Sequence, residues 1–175
     1  SKTNFSPFSI SCEVLGLIAS SSSIILLSIC IEVNSSSLPI IRRLWVSGMR
    51  AVNLVVDVTN YTLLEFGQPI HAYDFDKMSS KSLRVEELKG NQKFRTLDGV
   101  DVSLEKTDIV ICDNSNILAV AGVMGGQNCS VSNSSKNIVL EVAHFDSANI
   151  RNTAKRLGLH TESSHRFERK IDIIN

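Results

Sequence analysis

The 175-residue chain is short of most features that announce a function. It has no net charge, because 18 Lys and Arg balance 18 Asp and Glu, so the whole molecule has no electrostatic preference for nucleic acid or membrane. Its four cysteines (Cys12, Cys30, Cys112, Cys129) form no C-x-x-C pair and no grouping with histidine, which argues against a metal site. A chain that is 43% hydrophobic can fold without disulfides, so these cysteines read as reduced, cytoplasmic thiols. The longest apolar run, Ile24 to Val33, is about ten residues and is broken by Ser28, whereas a bilayer span needs roughly 20. There is no G-x-x-x-x-G-K-[ST], no G-x-G-x-x-G and no G-x-S-x-G, which removes support for nucleotide binding and serine-hydrolase chemistry. No signal peptide is visible, and the missing initiator Met reads as an excised fragment.

What remains is enough apolar residue for one full core, and a single domain spanning residues 1–175 is expected. Strands are expected at Phe8–Val14, Leu26–Val33, Leu83–Glu87, Ile109–Cys112, Ile117–Val123 and Asn137–Phe145, with a polar break at Ser20–Ser23. Asp98-Gly99 between Phe94–Leu97 and Val100–Val102 is a hairpin signal. After Ser35–Ser37, a helix with Pro39 in its first turn carries Ile41, Leu44 and Trp45 as its buried stripe and ends at Gly48. A helix capped by Asp146 or Ser147 buries Ile150, Ala154 and Leu157 and stops at Gly158. A last helix starts near Thr161 or Ser163 and runs through Phe167. The fold class is therefore α+β, with mixed or antiparallel sheets and three to four helices. A local basic surface stands out between Arg151 and Lys170, where six Lys/Arg face Glu162 and Glu168.

The organising stretch is Val55 to Asp76. Val55–Val58 reads as a strand, Thr59 as the cap of a short helix ending at Gly67, and Gln68–His71 as an extended return forced by Pro69. This path brings Asn60 near His71. Alone, His71 between Ile70 and Ala72 reads as a structural histidine. Glu141 falls on one strand face with Val139 and Ala143, either as a carboxylate on a wet face or as one presented into a pocket. Gly122, Gly125 and Gly126 suggest backbone approaching something closely.

Five segments in order resemble the β subunit of bacterial phenylalanyl-tRNA synthetases: Gly48–Tyr61 (GMRAVNLVVDVTNY), Gly67–Asp74 (GQPIHAYD), Thr96–Gly99 (TLDG), Ala121–Gly126 (AGVMGG) and Arg156–Arg169 (RLGLHTESSHRFER). They cover residues from about 40 to 172, while residues 1–36 match only in strand pattern. The part resembled is the subunit's central editing domain. The resemblance implies hydrolysis of tyrosine wrongly attached to phenylalanine tRNA, because a pocket built for phenylalanine rejects an added hydroxyl by only about 10²-fold. It implies Glu141 as acceptor for the tyrosine hydroxyl, with Gly125 beside it. Ala121, Gly122 and Pro69 would shape the amino-acid pocket, and His71, Asn60, Thr161 and Arg50 would line the ester and terminal adenosine. Ser163 stands where the family commonly has Ala, a change that narrows or polarises the pocket wall. Lys170 and Ile173 replace the Gly and Pro of the family's closing segment.

The resemblance further implies phenylalanine tRNA, tyrosine or its tRNA ester, the remaining β-subunit domains and the α subunit as partners, with no membrane. No metal or cofactor is implied for this domain, ATP and magnesium serving only the complete synthetase. The alternative is a non-catalytic tRNA-binding or structural module with a degenerate pocket.

Overall fold

The computed structural model describes residues 12–19, 22–30, 38–80 and 82–171. In chain order the elements are β1 (Cys12–Ala19), β2 (Ser22–Cys30), α1 (Leu38–Val46), α2 (Leu54–Phe66), β3 (Ile70–Asp74), β4 (Arg84–Glu87) and β5 (Gln92–Arg95). Then follow β6 (Asp101–Leu104), β7 (Ile109–Cys112), β8 (Ile117–Val120), β9 (Met124–Gly125), β10 (Asn137–His144), α3 (Ser147–Leu157) and α4 (Glu162–Phe167). A short 3-10 turn, Phe75–Lys77, follows β3. One sheet runs β1-β2-β10-β3, a second β4-β7-β8-β9, and β5 pairs with β6 across the Asp98-Gly99 turn. The strand pairs are antiparallel throughout. The α+β class expected from the sequence is the one observed. The expected strand residues 8–11 and 31–33 and the lead-in Ser35–Ser37 lie outside the described residues.

The core joins both large sheets to α3 and α4, through Tyr73, Val110, Ile111, Leu118, Val120, Phe145, Ile150 and Phe167 among others. Asp108, 1% exposed, fixes α3 to this core: its carboxylate accepts from Thr153 Oγ1 at 2.9 Å, from Arg156 and from the Glu105 amide. The helix ends follow local chemistry. Asp146 caps α3 and Gly158 closes it, Thr161 caps α4, and Gly48 and Gly67 take the left-handed backbone that ends α1 and α2.

Two expectations fail. Val55–Val58 is helix, not strand, because the Asn53 side chain accepts the Val56 amide at 3.0 Å and caps α2 ahead of the β-branched run. Asp57 reinforces that start by accepting the Val52 amide, and Thr59 lies inside the helix, donating to the Val56 carbonyl. The cap's hydrogen bonds outweigh a β-preference that depends mainly on context. Trp45 is 80% exposed, because α1 buries only Leu44 from its apolar stripe against the rest of the molecule.

Two backbone positions matter for stability. Gly122 has φ +65, and a Cβ there would meet Ile150 Cδ1 and Phe145 Cδ2 at 3.0 Å and Phe167 Cδ2 at 3.1 Å. Gly122→Ala therefore combines left-handed strain with overpacking and should cost about 2–4 kcal/mol. A lower urea midpoint at unchanged slope is the expected reading. Lys170, at φ +65, is the one non-glycine residue with positive φ among those described, and it occupies the position where the resemblance has Gly. Lys170→Gly should raise stability by up to about 1 kcal/mol, seen as a higher midpoint in the same assay.

Candidate functional site

The antiparallel register of β3 against β10 sets Glu141 opposite His71 and Val139 opposite Tyr73. Directly opposed residues, and residues two apart on one strand, share a face. Glu141, His71 and Tyr73 therefore point into the same space between the sheets. Pro69, buried at the start of the return, brings β3 back from α2, and the Gln68 amide clamps the join by donating to the Pro69 and Ala143 carbonyls.

That space is a cavity of about 240 Å³. Thr59, Asn60 and Leu63 of α2 form one wall, Pro69, Ile70 and His71 another, and Ile111, Ala119, Val120, Val123, Met124 and Gly125 the floor. Thr161, Glu162, Ser163 and Phe167 stand at the α4 side. The volume lies below the roughly 300–1,000 Å³ typical of drug-sized ligands and suits a single side chain. Gly122 lines it as well, but Ala121 is 1% exposed and sits in the core behind the wall, its amide bonded to the Ile109 carbonyl. Arg50 is exposed and does not line the cavity. The structure thus brings together His71, Asn60, Thr161, Glu141, Gly125, Gly122, Pro69 and Ser163, and leaves Ala121 and Arg50 outside the lining.

Glu141 is 7% exposed, on a buried strand face shared with Val139 and Ala143. It is not a wet-face carboxylate. Its Oε2 accepts a short hydrogen bond from the Tyr73 hydroxyl, and among the described residues Oε1 has no partner and is open to the cavity. Burial pushes the carboxyl up to about 7, against the opposing pull of the Tyr73 hydroxyl. Burial lowers His71 to about 4, so its ring is neutral near pH 7. Tyr73 is raised well above the usual phenol range by burial and by the Glu141 charge. The His71 and Tyr73 rings meet edge to face, with centroids 4.6 Å apart.

Gly125 is where backbone approaches closely. A Cβ there would meet His71 Cε1 at 2.5 Å and Nε2 at 2.7 Å, so only glycine lets the imidazole lie against this strand. Thr161 spends its hydroxyl on structure, donating to the Val123 carbonyl at 2.8 Å and accepting the Ser164 amide at 3.0 Å. The Asn60 amide has no such commitment among the described residues and is available to a ligand. Sequence reading passed over Tyr73 and the apolar floor. The available signal for Tyr73 was its place two residues after His71 on the same strand.

Against this geometry stand the comparisons with known proteins. The B3/4 domain family matches residues 25–175. The chain belongs to the B3/4 domain family. The match reaches back into β2, further than the motifs that begin near residue 40. The B3/4 domain described here is 48% identical over 134 residues to the phenylalanine–tRNA ligase β subunit of Geobacter sulfurreducens, covering 77% of this chain and 17% of that protein. It is 45% identical over 143 residues to that of Carboxydothermus hydrogenoformans and 43% identical over 143 residues to that of Aquifex aeolicus, covering 82% of this chain and 18% of either relative. The chain therefore spans under a fifth of the length of these curated relatives. A solved N-terminal fragment of the phenylalanyl-tRNA synthetase β subunit from Pyrococcus horikoshii aligns with 58% of this chain and 39% of its own at 15% identity, with a TM-score of 0.45, too loose a likeness to carry weight.

The two buried groups titrate in opposite senses. Glu141 holds its proton more tightly when folded, so its contribution favours folding below pH 4.5 and drains away as pH rises to about 7. His71 holds its proton less tightly when folded, so its contribution is full above pH 6.5 and lost as pH falls to about 4. Relative to the unaltered protein, Glu141→Gln should gain stability as pH rises from 4.5 to 7, and His71→Asn as pH falls from 6.5 to 4. Each difference is at most on the order of 3 kcal/mol, and urea midpoints across this range read it. Parallel pH profiles for all three proteins would contradict the assignment.

Proposed function

We propose that this B3/4 domain belongs to a phenylalanine–tRNA ligase β subunit and acts as its editing sieve, hydrolysing tyrosine mischarged onto phenylalanine tRNA. The observation that carries the reading is Glu141: a buried carboxylate with one oxygen open to an apolar, side-chain-sized cavity. A tyrosine ring entering along Val120, Val123 and Ile111 would satisfy that oxygen with its hydroxyl. A phenylalanine ring would leave it dry and unpaired, a cost of about 1–3 kcal/mol. The similarity to phenylalanine–tRNA ligase β subunits supports an aminoacyl-tRNA substrate.

Ester hydrolysis needs a positioned water more than a strong nucleophile. His71, neutral and with a proton affinity well below the operating pH, is a weak base, so its part is to hold a water or the ester oxygen in place. Asn60 lines the same cavity and offers its amide, and Thr161 fixes the α4 wall. No cofactor enters this step, and ATP and magnesium serve only the complete synthetase. The partners on this reading are phenylalanine tRNA, the remaining β-subunit domains and the α subunit, in the cytoplasm. Among the described residues no helix is long and apolar enough to cross a membrane.

Deacylation of tyrosyl- and phenylalanyl-tRNA by the complete synthetase tests the reading. The unaltered enzyme should clear tyrosine only. Glu141→Ala should reduce discrimination between the two esters by roughly tenfold to a hundredfold, and His71→Ala should slow tyrosine release. Tyrosine loss no faster than the uncatalysed rate would leave a binding or structural module with a degenerate pocket.

A further inference from the structure

Tyr73 is the largest fully buried side chain of the described core, at 0% exposure, and it spends its one polar atom on Glu141 Oε2. Among the described residues no other group donates to that carboxylate. The described titratable groups around it supply no positive charge. From β3 come His71, held neutral, and Tyr73 itself; Cys112 and Cys129 share the core with Tyr73; Glu162 stands on the α4 side of the cavity. The floor elements β7 to β9 bring only apolar residues and Gly125. Position is fixed as firmly as chemistry. The diagonal from Tyr73 to Glu141 is set by the β3–β10 register, and the Tyr73 ring is braced edge-on by His71 and bridged at its backbone to Ser130.

We propose that Tyr73 is a positioning and specificity-determining residue of this pocket: its hydroxyl pins one oxygen of Glu141 and leaves the other as a single aimed acceptor, so that Tyr73 governs how strictly the pocket demands a hydroxyl from its occupant. The proposal rests on the reading of Glu141 as the acceptor for a phenol. A carboxylate without Tyr73 would be bare whenever the pocket is empty or holds a plain ring, and it would escape that state by taking up a proton. A protonated carboxyl is a poorer acceptor, and it carries an O–H of its own that rotates to suit. Discrimination then survives only at higher pH, where the group is ionised. With Tyr73 in place, ionisation comes earlier and the free oxygen accepts a ligand hydroxyl near neutral pH. The effect falls on binding of the tyrosyl ester, because Tyr73→Phe keeps the ring that meets His71 edge to face and removes only the hydroxyl on Glu141.

The test uses the complete synthetase as the unaltered protein, Tyr73→Phe and Glu141→Gln. Infrared difference spectra against Glu141→Gln isolate the Glu141 carboxyl and give its titration midpoint. Tyrosyl- and phenylalanyl-tRNA deacylation across the same pH range gives KM and kcat separately. Tyr73→Phe should move the midpoint upward by about one to two pH units. The onset of tyrosine selectivity should move by the same amount, in KM rather than kcat. An unmoved midpoint in Tyr73→Phe, with selectivity lost in Glu141→Gln, would overturn the role of Tyr73 while leaving the sieve intact. Selectivity unchanged in Glu141→Gln would overturn the acceptor reading and this proposal with it. A fluorinated tyrosine at position 73 is a stronger donor of nearly the same volume. It should move the midpoint downward, and it keeps the test decisive where Tyr73→Phe does not fold.

Discussion

The pairing of β3 with β10 is the constraint on which the site depends. A slip of one residue would turn Glu141 to the other face of the sheet and separate it from His71 and Tyr73 together, because the side-chain period of a strand is two. Several features far apart in sequence hold that register. Pro69 ends the α2 exit in an extended conformation, Gln68 ties it to the Ala143 carbonyl, and the Asp74 amide bonds to the Cys129 carbonyl. Asp74 adds Ser135 and Lys77 at the far end of the strand. The strand is gripped at both ends.

Much of the fold was legible because the signals were local. The Asp98-Gly99 hairpin, the glycines that end three helices and the caps at Asp146 and Thr161 each act within a few residues of themselves, so the chain alone carries the information. What was not legible required knowing a partner. Val55–Val58 looks like a strand until the Asn53 side chain is seen to claim the Val56 amide. Trp45 looks buried until α1 is seen to press only Leu44 inward. Period two correctly grouped Glu141 with Val139 and Ala143. Which of the two faces is dry, however, is decided by β7 to β9, α2 and α4 closing over it. The motifs pointed to most of the cavity lining, and the geometry removed Ala121 and Arg50 from it and showed Tyr73 in the core, bonded to the Glu141 carboxylate behind the lining.

The protein treats its buried acids unequally. Asp113 accepts amides from Ser79, Ser115 and Asn116, and these hydrogen bonds hold it down to about 2. Asp108 has Thr153, Arg156 and a backbone amide. Asp74 has Ser135, Lys77 and the Asp76 amide. These are carboxylates satisfied by the fold, and their work is structural. Among the described residues Glu141 has a single donor and no counter-charge. Burial without compensation is costly, and the fold retains it at the wall of a cavity, the place where a ligand can complete the set.

The same accounting separates the residues at the ester end. A group already holding its hydrogen-bond partners must break one to serve a ligand, so its chemical freedom is measured by what it has left over. Thr161 has nothing to spare: its one proton goes to Val123, and it already receives the Ser164 amide. Replacing it would loosen α4 and with it Ser163, Glu162 and Phe167, so a loss of activity there would report a wall that had moved. Asn60 has its amide free among the described residues, and His71 keeps a neutral ring whose position is dictated by the missing side chain at Gly125. On the proposed reading the reacting water is therefore placed by Asn60 and His71, with Thr161 as their frame. Catalysis by these two residues comes from geometry, since a neutral His71 and an Asn60 amide are both weak bases at the operating pH.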